Sequence, residues 1–261
     1  MAATDDRTDD HLASGRMTIW EHLAELRTRL IRCAIAVAIG VVIGYVFYNP
    51  LFSFLAKPYA DLCNCDPKFI AFEPIEPFTT RLKISTYFGI VLAMPVLLWQ
   101  IWRFVTPGLY PHEKRYAIPF VGSALLLFTL GAGIAYWTLT PALQFLQNQA
   151  PAEVVNQYTV GAYVTLISLM MLAFGLGFEF PVLLVALEFV GVLTPKKLLS
   201  WWRYAVVIIT VVAAVITPSG DPISMLALAV PMVIFYFMSI AIGAIFQRRR
   251  RRAVRGDDAI T

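Results

Sequence analysis

Phe104-Val-Thr-Pro-Gly-Leu-Tyr-Pro-His-Glu-Lys-Arg115 is a short polar island between two long apolar runs. Thr106-Pro107-Gly108 reads as the turn that ends one helix, because proline lacks an amide donor and glycine tolerates the left-handed conformation of a C-cap. Pro111 suits the first turn of the next helix. One carboxylate, Glu113, stands among Lys114, Arg115 and the nearby Arg103. A hinge between two membrane spans is the reading, and the rest of the chain supports it.

Of 261 residues, 59% are hydrophobic and only 15% charged. A soluble domain carries about a quarter charged residues, so this is a polytopic membrane protein. Apolar runs fall at 31–48, 84–102, 116–139, 160–190, 204–216 and 223–246. They predict six helices, since a helix satisfies its own backbone in lipid. The fold class is therefore all-α, with a polar tail at 1–17, a transmembrane domain at 18–246 and a basic tail at 247–261. The first 15 residues are polar and show no cleaved signal peptide.

Six spans place the N-terminus, 103–115, 193–203 and the C-terminal tail on one side. That side holds Arg7, Arg16, Arg27, Arg29, Arg32, Arg103, Lys114, Arg115, Lys196, Lys197, Arg203, Arg248–Arg252 and Arg255, which is 17 of the 21 basic residues. The positive-inside rule puts both termini in the cytoplasm. The basic excess is thus a topology signal, and no nucleic-acid partner is needed to explain it. Cys33 reads as a small apolar residue of the first span, while Cys63 and Cys65 fall in the first outward loop.

Several local readings carry chemistry. Thr18 and Glu21 form a capping box that opens an amphipathic helix running into span one, where Glu25 can pair with Arg29 one turn on. The proline-rich loop 49–80 has room for a short helix around Phe52–Leu62. Pro95 interrupts span two, Trp99 and Trp102 suit the headgroup layer, and 141–158 reads as an outward loop. Span four is about 46 Å of helix, against a hydrocarbon core of about 30 Å, so it must tilt or bend. Inside it, Phe174-Gly-Leu-Gly-Phe-Glu-Phe-Pro181 sets Glu179 beside a proline-broken ladder. An ionisable residue at that depth is costly and points to function, with interhelical bonding by a neutral acid as the structural alternative. Glu188 is nearer the cytoplasmic end, within snorkelling reach. Span five, about 13 apolar residues, falls short of the about 20 needed, which suggests a locally thinned bilayer. The five arginines after Phe246 act as a stop signal and attract anionic lipid.

Nothing in the sequence reads as an active site, metal site or cofactor motif. Two classes remain: a receptor and translocation subunit for polypeptides, and a small-molecule or ion transporter using Glu179 as a proton site. The motifs separate them. His22-Leu-Ala-Glu-Leu-Arg27, Pro107–Arg115, Phe174–Pro181 and the Thr217-Pro…Asp221 turn, in that order from about Trp20 to Phe246, resemble TatC, the multispanning core of the twin-arginine translocase.

The resemblance implies a concave bundle with a long bent fourth helix in the bacterial cytoplasmic membrane. It implies a non-enzymatic receptor for twin-arginine signal peptides, driven by the proton-motive force. The partners would be TatA- and TatB-type single-span subunits and other copies of the chain, within the lipid bilayer. On this reading Glu25 and Glu113 take the two guanidinium groups, and a lysine cannot reproduce that bidentate geometry. Phe104, Leu109 and Tyr110 supply apolar or stacking contacts, and Arg27 orients Glu25. Glu179 meets a polar residue of a partner's helix, and 204–246 is the docking edge. Pro58, Phe78, Pro218 and Asp221 shape the outer face. The chain departs from the pattern at Pro111, basic in some relatives, at the added residue of Thr217-Pro-Ser-Gly-Asp221, and at Met225, polar in some relatives.

Overall fold

The structure is a computed structural model that describes residues 19–63, 69–105, 117–149, 151 and 158–257. It is all-helical in these residues apart from one bridge between Ile70 and Thr159. The helices are α1 (Ile19–Val46), α2 (Tyr48–Cys63), α3 (Glu76–Val105), α4 (Ala117–Asn148), α5 (Val160–Phe178), α6 (Phe180–Val190), α7 (Pro195–Ser200), α8 (Trp202–Ile216) and α9 (Pro222–Asp257). Five segments are long and apolar enough to cross a membrane: Leu23–Val46, Glu76–Arg103, Ile118–Asn148, Val160–Phe189 and Pro222–Ile245. Trp202–Ile216 is the shorter apolar sixth. At 1.5 Å per residue its 15 residues reach about 22 Å, against about 36 Å for the 24 of Pro222–Ile245.

Two span boundaries differ from the sequence reading. Pro95 does not interrupt α3, and Pro141 does not end α4, which runs on to Asn148 through part of the expected loop. A proline inside a membrane helix costs one ladder bond, and the neighbouring helices hold the segment in register regardless. The short helix expected in the first loop is α2, which buries Leu55, Ala56, Pro58 and Tyr59. The fourth span breaks at Glu179, so its bent form is two helices with Pro181 in the first turn of the second. The fifth is preceded by the separate α7, capped by Thr194. The α9 helix does not stop at Phe246 but carries Arg248–Arg252 as helix.

The two ends of the bundle differ in character. At one, here the termini end, α1 begins, α3 finishes, α4 begins and α9 finishes. At the other, the loop end, α2 lies across α4 and α5. The Tyr136 hydroxyl donates to the Phe54 carbonyl at 3.0 Å and the Tyr163 hydroxyl to that of Leu55 at 2.8 Å. Tyr59, Phe69 and Tyr163 pack ring on ring beneath it. The core proper joins α4, α5 and α9, with Leu139, Tyr163, Ile167, Phe174, Phe178 and Leu228 fully enclosed. The α1 helix stands outside that core and packs along α3, with Gly40 against Gly89. A Cβ at Gly89 would lie 2.6 Å from the Val41 nitrogen, so these two backbones meet only because both positions lack side chains.

Candidate functional site

The close approach of α1 and α3 fixes what happens at the termini end. Glu25 and Arg29, one turn apart, form an ion pair. Arg29 is buried beneath the helix, 5% exposed, and donates at 3.5 Å to the Gln100 carbonyl near the end of α3. A buried guanidinium demands acceptors, and the Gln100 carbonyl, which also lies within the α3 ladder, offers its second lone pair. Glu25 is half-buried, and its Oε2 is enclosed without a hydrogen-bond partner among the described residues. The Gln100 Oε1 is in the same condition.

These contacts correct two expectations. Arg29 is buried, although helical spacing set it on the polar side. The residue that holds Glu25 is Arg29 and not Arg27, which is exposed. Spacing favours this outcome, because residues four apart share a helix face and residues two apart do not. Phe104 belongs to the last turn of α3. Leu109, Tyr110 and Glu113 lie outside the described residues, as do Thr18 and Cys65. Gln100 is a member of this end that the sequence did not single out, since a glutamine on a helix carries no signal until its neighbours are known.

The second carboxylate site lies deeper. At the α5–α6 break, Glu179 closes one helix and precedes the next. It borders an apolar cavity of about 450 Å³, together with Met94, Trp102, Phe120, Val121 and Leu183. Its Oε1 is buried with no hydrogen-bond partner among the described residues, and so is the indole Nε1 of Trp102, which also lines the cavity. Trp102 is buried within the bundle, 4% exposed, and packs tilted against Phe120, centroids 4.1 Å apart.

Glu188 does not snorkel. It is 8% exposed in the α6–α9 seam, and neither carboxyl oxygen has a hydrogen-bond partner among the described residues. Gly243 makes room for it: a Cβ there would fall 1.9 Å from Glu188 Oε2.

At the loop end, by contrast, two carboxylates, Asp221 and Glu76, have both oxygens hydrogen-bonded. Asp221 is 1% exposed and caps α9, accepting the Ser224 amide at 2.7 Å and the Ser219 hydroxyl. Glu76 accepts the amides of Phe72 and Gly161, both at 2.9 Å, and so ties the start of α3 to the start of α5. Arg81 bonds the Tyr45 carbonyl and lies 4.1 Å over that ring, and Lys83 donates to the Thr165 hydroxyl. Pro58 is buried within α2, whereas Phe78 in α3 and Pro218 in the turn before α9 are exposed. Among the described residues no group of His, Cys, Asp and Glu has the spacing to hold a metal ion.

Comparisons with known proteins agree with one another. Residues 21–231 match the family model of the Sec-independent protein translocase protein (TatC). A protein of that name from Frankia casuarinae is 38% identical, over 98% of this chain and 73% of its own length. That of Xylanimonas cellulosilytica is 37% identical over 96% and 93%. That of Aquifex aeolicus is 37% identical over 90% and 98%. The crystal structure of a twin-arginine translocase receptor, TatC, superposes with a TM-score of 0.73 at 38% identity, covering 86% of this chain and 99% of that one.

Proposed function

The chain belongs to the TatC family of Sec-independent protein translocase proteins, transport components rather than enzymes, and on that premise we propose that it is the receptor for twin-arginine signal peptides in its own translocase. It is a multi-pass membrane protein. On this proposal it sits in the bacterial cytoplasmic membrane with both termini in the cytoplasm, and the termini end of the bundle faces the cargo. The single observation that carries the reading is Glu25: a carboxylate pinned by a buried arginine on one side, with its other oxygen enclosed and without a hydrogen-bond partner among the described residues.

In this reading Glu25 takes one guanidinium of the signal peptide and Glu113, from the hinge before α4, takes the second. Arg29 orients Glu25, and Phe104, Leu109 and Tyr110 receive the apolar flank of the peptide. Charge-assisted bidentate bonds discriminate arginine from lysine by shape as well as charge. Glu179 and its cavity receive a polar side chain of a single-span TatA- or TatB-type subunit, and other copies of the chain complete the assembly. Export of folded cargo then draws on the proton-motive force, without nucleotide hydrolysis. The transporter reading of Glu179 is set aside, because the whole bundle matches a protein translocase family.

The test is binding of a paired-arginine signal peptide to the purified protein in nanodiscs. Glu25→Gln and Glu113→Gln are each expected to lose more than about 1.5 kcal/mol, the scale of a hydrogen bond to a charged group. A paired-lysine peptide on the wild-type protein should lose a similar amount. Unchanged binding in both variants sinks the assignment.

A further inference from the structure

Arg29 draws two helices to one guanidinium at the termini end. Its Nη2 pairs with Glu25 of α1, and its Nη1 donates at 3.5 Å to the main-chain carbonyl of Gln100 on α3. Each of these two residues keeps a further acceptor that has no donor among the described residues: Glu25 Oε2 and the side-chain Oε1 of Gln100. Gln100 is 9% exposed, and a buried amide oxygen is costly to leave without a donor. Its side chain is not what the packing of α1 on α3 requires. The contact with Arg29 uses the main chain, which any residue at position 100 would supply, and α3 runs unbroken past it from Glu76 to Val105. What glutamine adds at this position is an unspent acceptor.

That acceptor matters for taking up a further cation. Arg29 already neutralises Glu25, so the pair attracts an incoming charge only weakly, and what it has left to offer is hydrogen-bond acceptors. A guanidinium carries five N–H donors in a rigid planar fork and can serve acceptors on two residues at once. An ammonium is a compact, strongly hydrated point charge on a flexible stem, and gains less from two acceptors held at fixed places. Both acceptors are enclosed, so an arginine must displace side chains around them, and meeting the demand of two buried oxygens offsets that cost.

We propose that Gln100 is a specificity-determining residue of the signal-peptide site, its Oε1 accepting a hydrogen bond from the same peptide arginine that bonds Glu25 Oε2. The inference rests on the receptor reading above and deepens it. Glu25 supplies an acceptor with charge, Gln100 supplies a neutral one fixed by α3, and part of the preference for arginine over lysine comes from bridging the two.

The experiment titrates the full chain in nanodiscs with paired-arginine and paired-lysine peptides, for the wild type, Gln100→Met, Gln100→Glu and Glu25→Gln, with a melting temperature for each. Gln100→Met keeps the length of the side chain and removes its amide. It should weaken the arginine peptide about tenfold and the lysine peptide less than about twofold, with no fall in melting temperature. Gln100→Glu restores an acceptor and should bind the arginine peptide at least as well as the wild type. Equal loss of the two peptides in Gln100→Met would overturn the inference, because a residue that merely supports the fold does not tell them apart. Wild-type binding by Gln100→Met alongside weakened binding by Glu25→Gln would overturn it too, and would leave the receptor reading standing. Wild-type binding by both variants would remove the receptor reading and this inference with it. If Gln100→Met does not fold, Gln100→Glu decides: a preference for arginine kept at the wild-type level supports the assignment, and a lost preference overturns it.

Discussion

The carboxylates at the two ends of the bundle make an informative contrast. At the loop end, Asp221 and Glu76 each accept two hydrogen bonds from the backbone or side chains that start a helix. At the termini end, among the described residues, Glu25 has one oxygen paired and one not, Glu179 has a buried oxygen with no hydrogen-bond partner, and Glu188 has two. Buried polar atoms are satisfied in the great majority of cases, so the exceptions ask for a reason. Asp221 and Glu76 are thus architectural carboxylates. The termini end leaves Glu25, Glu179 and Glu188 short of such partners among the described residues, at a cost in stability.

The largest effect that could break this contrast is at Glu25. The double variant Glu25→Gln, Glu113→Gln is expected to lose about 3 kcal/mol or more of peptide affinity, roughly a hundredfold, read by titration in nanodiscs. Its melting temperature should fall far less than its affinity does. A loss of folding instead of binding would move Glu25 into the same structural class as Asp221.

Glu179→Gln tests the deeper member of the set. Gln keeps the shape and removes the charge, so peptide binding should remain within about 0.5 kcal/mol of wild type, since the cavity is not part of that site. Site-specific crosslinking from the cavity wall, for example from Leu183, to a single-span partner should drop. Unchanged crosslinking would remove Glu179 from the partner contact.

Asp221→Ala is the mirror experiment at the loop end. Loss of an N-cap costs about 1–2 kcal/mol, and the Ser224 amide is left buried behind it. Thermal unfolding followed by tryptophan fluorescence should shift down, with peptide affinity unchanged. An affinity that falls in step with stability would erase the distinction between the ends.

How much of this was legible in the sequence follows from the kind of signal each feature sends. Spans and the Glu179 break are local: hydropathy, and glycines beside a proline, speak within a few residues. The extent of α4 beyond Pro141 was not legible, because a proline reads as a stop unless the neighbours that support the helix are known. Tertiary facts were the least accessible. That Arg29 turns inward, that Trp102 is buried against Phe120, and that Glu188 is sealed in the α6–α9 seam all depend on which helix lies opposite. Gly243 in particular reads as one more small residue in an apolar run until Glu188 is found against it.

Glu188 yields the smallest effect and the one of opposite sign. Nothing on α6 or α9 pairs with its carboxyl among the described residues, and Tyr236, the nearby hydroxyl, donates to the Leu198 carbonyl instead. A polar group enclosed without a partner is unfavourable, and an apolar side chain of similar bulk removes that cost. Glu188→Leu should therefore raise the unfolding free energy by about 1 kcal/mol, seen as a higher melting temperature in detergent. Gly243→Ala should lower it, since its methyl group would enter the space of the carboxyl, and Glu188→Ala should suppress that loss in the double variant. If Glu188→Leu destabilises instead, the carboxyl has a partner in the folded protein. Glu188 would then join Asp221 and Glu76 among the architectural carboxylates, leaving Glu25 and Glu179 as the two held open.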